Sequence, residues 1–115
     1  MIKIYQIRPS DSDINAANIY GFEAVEKVSA KYDMMLGARK WKDDYARLYT
    51  PMYEVDTDDL DQAFESTNLW EDNLVRRLNR GSSSSVGDIF VKDGVCHIVD
   101  SFGFKNIGER ELGAS

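Results

Sequence analysis

Apolar positions along the chain change their period several times, and each change marks an element. Ile2, Ile4, Tyr5 and Ile7 form a β-favouring run stopped by Pro9, which predicts an N-terminal strand with Ser10 to Asp13 as its exit loop. From Phe22 onward Val25, Val28, Tyr32, Met35 and Leu36 recur every three or four positions. Gly37 then supplies a stop, so one amphipathic helix is predicted. The period returns to two over Tyr45 to Val55. Ala46, Leu48, Thr50 and Met52 fall on one face of the predicted strand, with Tyr45, Arg47, Tyr49 and Tyr53 on the other. Pro51 marks an edge position or a bulge.

Two further helices are predicted downstream. Asp56 or Thr57 caps the first, Asp58, Asp59 and Asp61 match the positive end of its dipole, and Leu60, Ala63 and Phe64 form its buried side. In the second, Trp70, Leu74 and Leu78 are spaced by four, with Glu71 and Asp72 early and Arg76, Arg77 and Arg80 late, and Gly81 ends it. Asp93-Gly94 between two apolar runs is a two-residue hairpin signal, because both central residues of a type I′ turn need positive φ. That turn fixes the register. Lys92 faces Val95, Val91 faces Cys96, Phe90 faces His97, Ile89 faces Ile98 and Gly87 faces Asp100, which places Ile89, Val91, Cys96 and Ile98 on one core-directed face. A bend around Gly103 and a last short strand to Ile107 follow.

These elements predict an α+β fold: a small, largely antiparallel sheet with two to three packed helices and a C-terminal β-hairpin. A single domain over residues 1–115, with a polar tail at 108–115, is expected. At 115 residues and 43% hydrophobic composition the chain is long enough to bury a core without disulfides or a structural metal. Its single cysteine, Cys96, excludes an internal disulfide and a Cys-rich zinc site. No apolar run approaches the roughly 20 residues of a membrane span and MIKIYQIRP lacks a signal peptide's apolar centre, so a cytoplasmic protein without membrane partners is expected. A net charge of -6 argues against general nucleic-acid binding, although an acidic surface that mimics DNA remains an alternative.

Candidate chemistry is sparse. The run RGSSSSVGDIF lacks the lysine of a phosphate-binding loop and leads into a strand instead of a helix. Ser82 to Ser85 also lack a nucleophile-elbow pattern, and His97 is the one histidine available as a base. The hairpin register points Cys96 and His97 to opposite faces and separates Asp100 from Asp88 and His97, which disfavours both a Cys–His pair and a metal cluster. The acidic run DTDDLD lacks the central glycine and terminal glutamate of a calcium loop, and helix capping accounts for it. Arg76, Arg77 and Arg80 with Arg39 and Lys40 read as solvated helix ends. No catalytic residue, cofactor or metal is expected. A nucleotide or small-ligand site on the Ser-rich loop is the alternative. The surface candidate is the face bearing Tyr45, Arg47, Tyr49 and Tyr53, since aromatics with arginine are enriched at recognition surfaces. The competing reading covers that face with helices.

The segment YEVDTDDLDQAFESTNL, followed by NRGSSSSVGDIFVKDGVCHIVDSFGFKNI, resembles the YodL-like domain of small proteins from phages, plasmids and other mobile elements. The match consists of the amphipathic helix, a small-residue run into S-x-G-D and an apolar strand, and then D-S-x-G-F-K. It covers mainly residues 53–107, with IKIYQI resembling the family's opening strand. The resemblance implies a non-enzymatic accessory protein that binds a host macromolecule, such as a host protein, as an inhibitor; one bacterial relative interferes with the cell-shape cytoskeleton. It supplies no catalytic residues. Its signature positions here are Ser85, Gly87, Asp88, Asp100, Gly103 and Phe104, and their expected roles are structural: a bulge or close approach at Gly87, a turn acceptor at Asp88 and a bend at Gly103.

Overall fold

The computed structural model describes residues 1–69 and 73–113. Its strands are β1 (Ile2–Gln6), β2 (Thr50–Val55), β3 (Val75–Arg77), β4 (Ile89–Lys92), β5 (Val95–Val99) and β6 (Phe104–Glu109). Its helices are α1 (Asp11–Tyr20), α2 (Glu26–Met35) and α3 (Leu60–Leu69). The strands form one open antiparallel sheet in the order β3-β2-β1-β4-β5-β6, the α+β arrangement that the apolar periods predict.

Both faces of the sheet are covered. On one, Ala30 and Met34 of α2 pack with Ile89, Cys96 and Ile98, and Val91 lies against their edge. On the other, Ala63 of α3 packs with Ile2, Ile4, Phe90 and Val99. Neighbouring residues such as Ile89 and Phe90 therefore serve different layers, as the two-residue period of a strand requires. The hairpin has the register derived from its turn, from Ile89 opposite Ile98 to Lys92 opposite Val95. Asp93 and Gly94 both adopt positive φ, 51° and 78°. Beyond Ile89 the ladder becomes irregular: Gly87 N–H donates to the Val99 carbonyl while Asp88 N–H turns back to Ser85.

Four expectations are corrected. Ser10 to Asp13 is a helix start, not an exit loop. The Ser10 hydroxyl accepts from Asp13 N–H and the Asp13 carboxylate accepts from Ser10 N–H, a reciprocal cap that opens α1. The strand expected from Tyr45 begins at Thr50, because Asp43–Leu48 winds into a 3₁₀ turn. Pro51 then sits at a bulge: Ile4 pairs with Tyr53 but Tyr5 pairs with Pro51, leaving Met52 as the extra residue.

The helix expected from Trp70 to Leu78 is replaced by β3, whose Val75, Arg76 and Arg77 pair with Val55, Glu54 and Tyr53. Pairing the outer edge of β2 satisfies a row of backbone groups, and Arg76 meets Glu54 across the strands at 3.3 Å. Trp70, Glu71 and Asp72, where that helix was expected to begin, lie outside the described residues. The polar tail is shorter than expected. Strand β6 runs to Glu109, Arg110 pairs with Asp43 at 2.7 Å, and Gly113 N–H donates to the Ala46 carbonyl. A smaller adjustment concerns α3, where Asp59 is the cap: its Oδ1 accepts from Asp61 and Gln62 N–H.

Candidate functional site

The tyrosine face expected to meet a partner is inside the protein. Tyr45, Tyr49 and Tyr53 are buried, and only Arg47 of that set is exposed, paired with Glu26 of α2. The 3₁₀ turn and the bulge destroy the shared face. Tyr45 and Tyr49 pack with Trp41 and Met34 in one core layer, whereas Tyr53 belongs to the opposite layer. Each phenol has an internal acceptor. Tyr45 donates to Asp33, which raises its pKa to about 12, and Tyr49 donates to the Gly87 carbonyl at 2.6 Å. The Tyr53 hydroxyl donates to the Ser82 carbonyl at 3.0 Å.

That last bond leads to the Ser-rich loop, which is tied to the core mainly through its backbone. Gln6, fully buried at the end of β1, donates from Nε2 to the Ser82 carbonyl and to Asp88 Oδ2, both at 2.9 Å. Its Oε1 accepts from Ser82 N–H at 3.1 Å. Gly81 allows this approach, since a Cβ there would lie 2.6 Å from the Tyr53 hydroxyl oxygen and 2.7 Å from Gln6 Oε1. Among the serines, the Ser84 side chain alone is buried, and its hydroxyl meets that of Thr67 in α3. The loop is a strap between the sheet and α3.

Asp88 is the hub beneath the strap. Its Oδ2 accepts from Ser85 N–H at 3.0 Å and from Gln6, while Oδ1 has no hydrogen bond and faces Lys31 Nζ at 3.8 Å. Burial raises its pKa to about 6, opposed by Lys31, Gln6, Ser85 and Arg8. Beside it, Gly87 is held at φ 96° with its Cα against Met34, whose carbonyl oxygen would be 2.7 Å from a Cβ. The other signature positions also build the fold. Asp100 Oδ1 accepts from Ala38 N–H and Ser101 N–H, and the bend at Gly103 turns Phe104 onto Phe90, ring centroids 5.2 Å apart. Ser85 contributes its N–H and leaves its side chain exposed. Gly87 and Asp88 thus meet α2, Asp100 meets the turn that follows it, and Phe104 closes on the hairpin.

The expected separation of Cys96 from His97 is seen, but Asp88 does not share a face with His97: it meets Lys31 of α2, on the side where Asp100 accepts from Ala38 N–H. Cys96 is buried in one layer, where burial raises its thiol pKa, and His97 pairs across the strands with Phe90 on the other face, its pKa lowered by burial. Among the described residues no group of three His, Cys, Asp or Glu could hold a metal ion.

A different surface stands out. Of α1, Ala17 alone is buried, and its apolar Ile14, Ile19 and Tyr20 face outward, the last two more than 70% exposed. Across from Ile14, α2 exposes Tyr32 and Met35, and the connecting turn adds Phe22, whose ring lies 4.7 Å from that of Tyr32. Between the two helices runs a groove of about 330 Å³ lined by Pro9, Ile14, Ala17, Phe22, Val28 and Tyr32, among others. Periodicity misses it because Ser10 to Asp13 reads as a loop and Ile14 to Gly21 suggests no element. The available signal was S-x-x-D at Ser10 followed by ten residues without Gly or Pro.

The sequence model of the YodL-like domain matches residues 1–109, nearly the whole chain. No curated protein and no solved structure matches. No helix among the described residues is long and apolar enough to cross a membrane.

Proposed function

Since the chain belongs to the YodL-like domain family, we propose that it is a non-enzymatic accessory protein of a phage or other mobile element, which binds a host protein in the cytoplasm and inhibits it. The observation that carries this reading is the concentration of exposed large apolar side chains on α1, α2 and their connection: Ile14, Ile19, Tyr20, Phe22, Tyr32 and Met35. Of these, Ile14, Phe22, Tyr32 and Met35 line one groove, and clustered exposed apolar surface marks interaction sites. The polar groups that the Ser-rich loop turns inward, by contrast, are bonded to Gln6, Tyr53, Thr67 and Asp88, which supports a structural part for the loop.

The test is expression of wild type and Phe22→Asp in a bacterial host. Phe22 is half exposed, so the variant should fold with a stability within about 1 kcal/mol of wild type. Loss of the growth effect together with loss of one specific co-purifying protein is the expected result. A folded variant that keeps the full effect removes this face from the function.

A further inference from the structure

Independently of what docks on α1 and α2, we propose that Lys31 and Asp88 form a proton-operated latch: the Asp88 carboxylate holds the Lys31 ammonium inward, and its protonation releases that ammonium to the wall of the groove. The two oxygens of Asp88 are placed differently. Oδ2 accepts from Gln6 Nε2 at 2.9 Å and from Ser85 N–H at 3.0 Å, whereas Oδ1 is buried, has no hydrogen bond among the described residues and faces Lys31 Nζ at 3.8 Å. A proton arriving at the carboxyl therefore goes to Oδ1, the oxygen turned toward the lysine. It replaces an ion pair with two donors facing each other, since an ammonium has no lone pair to offer an O–H. Lys31 then leaves a buried surrounding in which its charge has lost its counterpart.

Lys31 is the part of this cluster with somewhere to go. Its side chain is 22% exposed against 1% for Asp88, and among the described residues lining the groove it is the charged one. A flexible four-carbon stem lets the ammonium exchange the carboxylate for water while the stem stays on the wall. The strap stays fixed, because Gln6 bonds Ser82 through both ends of its amide, Tyr53 donates to the Ser82 carbonyl, and Ser84 meets Thr67. The other titratable groups around Asp88 are engaged differently. Arg8, past the end of β1, is the weakest of the influences that favour the carboxylate, and burial together with Asp88 keeps the Tyr49 and Tyr53 phenols neutral, against Arg77 and Arg8 at Tyr53. Asp100 accepts from Ala38 and Ser101 N–H, and His97 lies on the opposite face. Burial outweighs Lys31 and raises the Asp88 pKa to about 6, so the latch works between about pH 5 and about pH 7. Above that window the lysine charge at the groove is compensated; below it, the wall carries a positive charge without its counterpart.

The experiment follows the full chain by nuclear magnetic resonance from about pH 4 to about pH 8. The Asp88 carboxyl carbon should titrate with a midpoint of about 6, and the Lys31 ε-methylene signals and the Ala17 and Asn18 amides across the groove should move with that same midpoint. The Ser82 and Ser84 amides should stay still. In Asp88→Asn the Lys31 signals should keep their low-pH positions throughout, because Gln6 and Ser85 claim the amide oxygen and its NH2 then faces the lysine. Lys31→Met should raise the Asp88 midpoint by about one pH unit, since the ammonium favours the carboxylate. His97→Gln should leave the Lys31 transition in place, which separates it from the chain's one histidine, whose pKa burial lowers. Lys31 signals that stay flat through the Asp88 titration, a Lys31 transition that survives in Asp88→Asn, strap amides that move in step with it, or an Asp88 midpoint below about 4.5 overturns the latch. The wild-type titration decides the matter even where a substitution unfolds the chain. If Phe22→Asp abolishes the host effect while Lys31 stays flat, the docking face stands and the latch falls.

Discussion

Asp88 is pulled in two directions, and the balance is measurable. Burial favours its neutral form, while Lys31, Arg8, the Gln6 amide and Ser85 N–H favour the carboxylate, and the nearby Tyr49 phenol is itself held neutral by burial and by Asp88. Burial dominates. The folded pKa of about 6 lies above the unfolded value of 3.8, so the folded state binds the proton more tightly and Asp88's contribution falls as pH rises from about 4 to about 6, by up to about 3 kcal/mol. Asp13 and Asp58 have lowered pKa values and act in the opposite sense, losing their contribution as pH falls. The comparison must therefore be with Asp88→Asn: chemical denaturation at several pH values should show wild type losing stability relative to the variant across that window, and parallel curves would remove Asp88 as the cause. At the neighbouring tyrosine the expectation is graded. Tyr49→Phe deletes a buried hydrogen bond to Gly87 and should cost about 1 kcal/mol. Tyr49→Ala removes a buried ring and should cost about 3 kcal/mol or more, read by thermal unfolding.

Among the elements, the C-terminal hairpin depends most directly on local chemistry. Gly94 has open space around it, so a side chain there meets no clash, but its φ of 78° resists a β-branched residue. Gly94→Val should therefore lower stability by roughly 1 kcal/mol or more through backbone strain alone, and an unchanged melting temperature would contradict the turn. The Ser-rich strap behaves differently because its contacts run through backbone groups of Ser82 and Ser85. Changing Ser82 to Ser85 together to alanine forfeits chiefly the Ser84–Thr67 contact. Such a variant should lose about 1 kcal/mol of stability and keep its effect on the host; loss of the effect in a folded variant would point to a ligand on the loop.

For the whole molecule, the informative asymmetry lies between its helices. Helices α2 and α3 each close one face of the sheet, whereas α1 buries little beyond Ala17 and leaves its larger apolar side chains in solvent. A helix so placed adds little to the core. Tyr20→Lys, at a site 74% exposed, should consequently leave thermal stability within about 0.5 kcal/mol of wild type. A large loss of stability would show instead that Tyr20 is part of the fold.

Local signals were enough wherever one residue's backbone preference or an unbroken period decided the outcome. Asp93-Gly94 set the hairpin and its register, and the alternation of Ile2 and Ile4 announced the first strand. The helix expected from Phe22, by contrast, begins at Glu26 and buries Val28, Ala30 and Met34, leaving the expected Tyr32, Met35 and Leu36 exposed. Where two local patterns competed, long-range pairing decided. Leu74 and Leu78 keep a helical spacing, yet the open edge of β2 draws Val75–Arg77 into a strand, and the alternation from Tyr45 is broken by a 3₁₀ turn and by the bulge at Met52. Gln6 reads as an ordinary strand residue until the loop some eighty positions away folds over it, because the partners of a buried amide are not encoded near it. The groove is the furthest from the sequence. An apolar side chain is read as core by its period alone, and only the three-dimensional arrangement shows that those of α1 have no core left to enter.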